Sequence, residues 1–380
     1  TLSAACGGSE MKLKVTVLGT RGIPNVQGGV ETHCQNLYPA IKQQFDVDIC
    51  VIARSPYVNY KRSSYKKVET YALWAPKKRS LEAIVHSVLA AFRTRIDHSD
   101  IVHVHAIGPG LVIPLLRVMG KKVVFTHHGP DYDRQKWGFV AKKILLLGER
   151  WAVRYANEVI VISEVINQLI QKKHGRYDAH LIHNGVNEPR LLSELTIDNT
   201  LSRFGLQPKN YLVVVGRFVE EKGMHDAIAA YQRSGLTMPL VLIGDADHPT
   251  EYSIRLKKLA ADTPGVVMTG FLRGDELQAV FSQAQLFVMP SYHEGLPIAL
   301  LEAMSFSLPA VVSDIPANLE VQLPAETYFK VGDVTDLAEK LGQGVTANSV
   351  DYRVYLQNYN WHEIAKKTVN VYHSIDKDIG

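Results

Sequence analysis

Cysteine is scarce. Cys6, Cys34 and Cys50 are the three in 380 residues, an odd number without a C-x-x-C pair. That excludes an even disulfide framework and fits a reducing compartment. No apolar run reaches the roughly 20 residues of a membrane span. Low-complexity segments and repeats of solenoid period are lacking as well. Charge is nearly balanced, 42 Lys and Arg against 38 Asp and Glu for a net of +4, so an anion site must come from local clusters. Nothing in this balance suggests a nucleic-acid partner. Residues 1–10 carry neither a basic region nor an apolar stretch, which disfavours a signal peptide. They are read as an expression remnant before a native start at Met11, and the expected location is cytoplasmic.

At this length two α/β domains are expected, and the apolar (46%) and charged (21%) fractions suit soluble globular units. From Met11 onward, short apolar runs at 12–18, 47–53, 101–105, 123–127, 159–162 and 180–182 read as buried strands. Helical patterns at 29–43, 81–95, 139–155 and 164–173 lie between them. A polar stretch at 186–207 reads as a hinge, and the alternation then restarts. Strands are expected at 211–215, 240–243, 266–269, 286–289 and 310–313, with helices at 224–233, 252–261, 275–283 and 298–306. Such alternation means right-handed βαβ units and parallel sheets. The expected architecture is two doubly wound Rossmann-like domains, 11–190 and 205–358, facing a cleft. The terminal segment 360–380, with its amphipathic piece 361–375, packs back on the first domain.

The densest chemistry lies in the second half. After the strand at 286–289 comes Pro290-Ser-Tyr-His-Glu-Gly-Leu-Pro297 and a helix carrying Glu302. Pro297 suits a first helical turn, leaving the amides of Gly295 and Leu296 at a helix N-terminus, where an anion or a sugar hydroxyl is welcome. A carboxylate accepting from vicinal hydroxyls makes charge-assisted bonds worth roughly 1.5–3 kcal/mol each. The alternative for Glu294 and Glu302 is a solvated loop glutamate and a helix-surface glutamate. Upstream, Gly216-Arg217 and Lys222-Gly223 bracket a βα loop. Arg217 and Lys222 suit a diphosphate, and the alternative is an ordinary charged loop.

Together these residues resemble the family-4 retaining glycosyltransferases of the GT-B fold. The resembling motifs are Gly216-Arg217…Lys222-Gly223 and Glu294-Gly295-Leu296-Pro297, with Glu302 completing E-x7-E. Gly28-Gly29-Val30-Glu31, Asp100-Ile-Val-His-Val-His105, Thr126-His-His-Gly129 and Ile182-His-Asn-Gly-Val186 resemble the family in the first half. The opening Gly19-Thr-Arg-Gly-Ile-Pro-Asn-Val-Gln-Gly-Gly29 is similar to bacterial members that build surface polysaccharides such as lipopolysaccharide or exopolysaccharide. The resemblance implies that Glu302 holds the donor ribose and Glu294 the transferred sugar. Arg217 and Lys222 would stabilise the departing diphosphate, and Gly28, Gly29, Gly216, Gly295 and Leu296 would let backbone approach the donor. It further implies His105 beside the reacting sugar, with His128 and Asp131 on the acceptor side. The substrates implied are a nucleotide-diphosphate sugar and a glycan or lipid-linked saccharide. No cofactor, no metal and no protein nucleophile are expected.

Other signals compete. Asp245-Ala-Asp247 looks like a metal-binding D-x-D, and His103, His105, His127 and His128 look like a zinc set at strand ends. Gly19-Thr-Arg-Gly22 with Arg54 ending the second strand suggests an NADP-dependent reductase, although the G-x-G-x-x-G spacing is missing. A non-enzymatic two-lobed sugar-binding protein is the remaining rival. Lys61, Arg62, Lys66, Lys67, Lys77, Lys78, Arg79, Arg93 and Arg95, with Tyr71, Trp74 and the apolar helix at 81–92, form a basic stretch opposed by Glu69 and Glu82 alone. It reads as a contact with an anionic membrane, peripheral on the inner face, or with a lipid-linked diphosphate; the alternative is a helix packed on the sheet with solvated lysines.

Overall fold

Short Val-, Ile- and Leu-rich runs form strands buried on both faces, and the helices between them supply the covering layers. The computed structural model describes residues 12–26, 28–76, 79–130, 139–246 and 249–377, with the side chains of 79–81, 376 and 377 excepted. The chain divides into two units, Thr1–Gly185 with Trp361–Gly380, and Val186–Asn360.

The first unit contains β1 (Lys14–Leu18), α1 (Gly29–Gln44), β2 (Asp48–Arg54), β3 (Arg62–Tyr65), β4 (Val68–Leu73), α2 (Arg79–Ile96) and β5 (Ile101–His105). It continues with α3 (Ile113–Val118), β6 (Lys122–His127), α4 (Phe139–Tyr155), β7 (Glu158–Val161), α5 (Glu164–His174) and β8 (His180–Leu181). The sheet order is β3-β4-β2-β1-β5-β6-β7-β8, parallel except for the β3–β4 hairpin. That hairpin is absent from the sequence reading. It comes from Arg62–Leu73, where Lys66 and Lys67 turn the chain with positive φ (47° and 68°), a conformation lysine rarely supplies.

The second unit contains α6 (Glu194–Arg203), β9 (Leu212–Val215), α7 (Met224–Ser234), β10 (Leu240–Ile243), α8 (Glu251–Ala261), β11 (Val266–Gly270) and α9 (Gly274–Ser282). Then come β12 (Leu286–Met289), α10 (Ile298–Ser305), β13 (Ala310–Ser313), α11 (Pro316–Leu319), β14 (Tyr328–Phe329), α12 (Val334–Gly344) and α13 (Arg353–Leu356). Its sheet is wholly parallel, in the order β11-β10-β9-β12-β13-β14. Helix α14 (Trp361–Lys377) returns to the first unit, where Ile364, Ala365, Val369 and Tyr372 share a core with Leu37, Tyr38 and Ile41 of α1.

Part of the stretch read as a hinge is helical, the 10 residues of α6. Ser193 caps α6 by accepting from the Thr196 amide, and α6 packs on α9. Only Thr200 and Leu201 of α6 are buried, so its apolar stripe was too thin to register as a helix. Val186 also belongs with the second unit, its amide donating to the Tyr359 carbonyl at 2.8 Å.

Candidate active site

In the second unit, β9 and β12 are neighbours although two strands and three helices separate them in the chain. Strand order reverses between them, which is where doubly wound sheets place ligands. Loops 216–223 and 290–297 meet there. Lys222 Nζ lies 2.6 Å from Glu294 Oε1, and Ser291 Oγ donates to the same oxygen at 2.7 Å. Gly223 makes this meeting possible. It has φ 62°, and a Cβ there would stand 2.0 Å from the Pro290 carbonyl oxygen.

The Lys222 stem passes Gly216, where a Cβ would sit 3.6 Å from Lys222 Cδ. Arg217 is half-exposed, with Nη2 4.0 Å from Glu221 Oε1. Pro297 is the N-cap of α10 rather than its first helical residue. Gly295 has open space beside it, while the Leu296 side chain packs on the core and leaves only its backbone for a ligand. The Glu302 carboxylate makes no hydrogen bond among the described residues, and burial pushes it up to about 7. Asp245 is spent on Lys257 at 2.7 Å and on the Ala246 amide, and Asp247 lies outside the described residues.

In the first unit, strand order reverses between β1 and β5. His103 and His105, two apart on β5, present the same face and stack with ring centroids 4.2 Å apart. His103 Nδ1 faces the Tyr372 hydroxyl of α14 at 2.7 Å, and its Nε2 faces Thr126 Oγ1 at 2.7 Å. The Tyr38 hydroxyl bridges His103 and His105, and His105 Nδ1 reaches His128 Nε2 at 2.9 Å. His33 of α1 bonds Asn184 through Nδ1 and lies with its ring 4.8 Å from that of His128. Burial is the main cause that holds these imidazoles neutral. It pushes His33 down to about 4 and His103 to about 3, and it places His105 and His128 well below the usual range.

The paired glycines differ. Gly28 is crowded, since a Cβ would stand 2.0 Å from Glu31 Oε2, whereas Gly29 has open space. Glu31 accepts from the Arg21 amide at 2.8 Å and pairs with its guanidinium at 3.2 Å, so the first turn of α1 already carries a carboxylate. Asp131 lies outside the described residues. Of the four histidines read as a zinc set, His103 and His127 turn elsewhere. His127 Nδ1 accepts from the Gly129 amide at 3.0 Å, and its Nε2 lies 3.5 Å from the buried Glu149. Sequence reasoning missed His33, Tyr38, Asn184, Ser291 and Tyr372. Asn184 lay in the Ile182-His-Asn-Gly-Val186 motif and Ser291 in the Pro290–Pro297 segment, whereas Tyr372 is 269 residues from the histidine it touches.

The Glycosyltransferase Family 4 model matches residues 27–190, and the Glycosyl transferases group 1 model matches residues 199–360. The chain is 26% identical over 406 residues to alpha-maltose-1-phosphate synthase of Mycobacterium tuberculosis, covering 96% of this chain and all of that protein. It is 27% identical over 319 residues to the GDP-mannose:cellobiosyl-diphosphopolyprenol alpha-mannosyltransferase of Xanthomonas oryzae, covering 76% of each. Its fold matches Anabaena Alr3699/HepE, solved with UDP and glucose, with TM-score 0.75, 16% identity, 95% of this chain and all of that one. The chain therefore belongs to the family-4-like glycosyltransferases of the GT-B fold. It is an enzyme of glycan or lipid-linked saccharide synthesis. The rival readings are not favoured. Arg54, the residue a reductase would turn on a 2′-phosphate, is paired with the buried Glu82 at 2.9 Å.

Proposed function

We propose that the enzyme transfers a sugar with retention of configuration from a nucleotide-diphosphate donor to a glycan or lipid-linked saccharide of a bacterial surface polysaccharide. The observation that carries this reading is the Lys222–Glu294–Ser291 cluster at the strand-order reversal, with the half-buried Glu302 on the helix that follows. Glu302 accepts from the ribose diol and Glu294 from the transferred sugar, aided by the Gly295 and Leu296 amides. Arg217 and Lys222 meet the charge that develops on the leaving diphosphate, so the reaction requires no metal. The donor C1–O bond breaks, the acceptor oxygen bonds C1 on the same face, and the acceptor proton passes to the departing phosphate oxygen. His105 hydrogen-bonds the reacting sugar as a neutral imidazole, and His128 lies on the acceptor side. The names of the Xanthomonas relative and of a putative teichuronic acid glycosyltransferase of Bacillus subtilis support a cell-surface acceptor.

The test is a thermal-shift panel of UDP, GDP, ADP and dTDP, since a ligand of the native state raises Tm by mass action. Proton NMR of the new linkage follows. An inverted anomer, or no shift with any nucleotide, overturns the reading.

The same proposal includes docking of the first unit on an anionic membrane surface. No helix among the described residues is long and apolar enough to cross a membrane. Helix α2 buries Glu82, His86, Ser87 and Thr94 together with Ala90 and Ala91, and leaves the larger Leu89, Phe92 and Ile96 exposed. Trp74 is exposed as well. Helix α4, packed like α2 on Pro109–Val112, exposes Phe139, Val140, Leu146 and Leu147 beside Lys142 and Lys143. Lys77 and Lys78 lie outside the described residues. Arg62 and Arg93 sit over the Tyr71 ring, and Arg93 pairs with Asp97. Basic residues beside apolar helix faces suit salt-sensitive attachment at about 1 kcal/mol per charge. Sedimentation with anionic liposomes at low salt, lost on Phe92→Ser with Lys142→Glu, is expected; no sedimentation of the wild type ends this part.

A further inference from the structure

Two of the four histidines read as a zinc set turn away, yet the fold assembles a different triad. His33 from α1, His105 from the end of β5 and His128 from the loop after β6 each bring one ring nitrogen within 4.8 Å of the others. Zinc–nitrogen bonds of about 2.0–2.1 Å in tetrahedral array put ligand nitrogens about 3.3 Å apart. His105 Nδ1 and His128 Nε2 stand at 2.9 Å, so small ring movements suffice for this pair. The supporting contacts also suit a metal. Asn184 holds His33 through Nδ1, and Tyr38 holds His105 through Nε2, which fixes each ring and leaves its other nitrogen facing inward. His33 Nε2 is buried without a partner. His128, half-buried, is the route in from solvent.

We infer that His33, His105 and His128 form a Zn²⁺ site, and that the ion inhibits transfer by occupying His105. The binding half stands on geometry alone; the inhibitory half rests on the reading that His105 meets the reacting sugar.

Equilibrium dialysis of the full chain with Zn²⁺, and the visible spectrum of the Co²⁺-loaded protein, test the binding half without any donor. One ion per chain and a tetrahedral Co²⁺ band are expected. His33→Gln and His128→Gln should each weaken binding by more than about 100-fold, and Asn184→Ala, which removes only a supporting bond, by about 10–100-fold. Melting of each metal-free variant checks folding. If His33→Gln does not fold, His128→Gln carries the test, because its ring is half-buried in a loop. Unaltered Zn²⁺ affinity in the folded variants, or no stoichiometric binding, overturns the site. In the transfer assay, Zn²⁺ should abolish activity reversibly by chelation, and the His33→Gln enzyme should keep its own level when Zn²⁺ is added. Stoichiometric binding without inhibition overturns the inhibitory half. A chain that binds Zn²⁺ at the triad yet turns over no nucleotide sugar defeats the functional proposal and leaves the metal site standing.

Discussion

The two sheets gather their functional side chains at the same topological place, where strand order reverses, but with opposite chemistry. In the second unit the place is held by charge: Lys222 on Glu294, Arg217 half-exposed nearby, and a half-buried Glu302 whose carboxyl is pushed up to about 7. In the first unit it is held by neutral rings, with His103 and His105 stacked between Tyr38, Tyr372, Thr126 and His128. Charges beside solvent can answer charge that develops on a ligand. A buried neutral network cannot, yet it fixes hydrogen-bonding directions without the cost of desolvating an ion. Under the proposed function, the contrast assigns leaving-group chemistry to the charged set and sugar orientation to the neutral one.

The largest expected effect breaks the charged side. Lys222→Ala should lower kcat by about 10²–10³, the usual loss for one group stabilising developing charge, read by steady-state kinetics. A loss below tenfold would move the leaving group elsewhere. Next comes Glu149, a buried carboxylate of the first unit. Burial opposes ionisation of Glu149, but His127 at 3.5 Å and the hydrogen bonds from Lys173 and His174 win and hold its carboxyl below the usual range. A depressed carboxyl contributes stability above its unfolded value near 4.3 and loses it as pH falls through the folded value. Glu149→Gln should therefore cost about 1–3 kcal/mol at pH 7 by denaturant unfolding, a gap that shrinks as pH falls below about 4.

A smaller effect sharpens the role of Glu302. Its raised value means that the free enzyme is largely protonated below about 7. If the carboxylate accepts the ribose hydroxyls, donor KM should fall about tenfold from pH 6 to 8, and Glu302→Gln should raise KM and flatten the profile. A profile unchanged by that substitution would place the carboxyl outside the donor site. The smallest expected effect is none: EDTA should leave turnover intact. Loss restored by Mn²⁺ would return Asp245 and Asp247 to consideration.

Much was legible in the chain. Apolar runs of four to six residues alternating with helical periods carry their own identity, so most core strands and long helices were readable to within a residue or two. The Lys222 and Glu294 loops were readable too, because glycine and proline mark βα turns and charged residues inside them are conspicuous. The β3–β4 hairpin was not, since its turn is Lys66-Lys67 and its outer strand is Arg-Ser-Ser-Tyr, exposed and without an apolar face. Helix α6 escaped for the same reason. The sequence alone determined two parallel α/β units and the charged half of the site, because those features are local in the chain. Tertiary structure decided the neutral half. His33, Asn184 and Tyr372 are ordinary residues of a helix, a loop and a distant terminal helix until folding brings them to β5, and burial then decides their protonation.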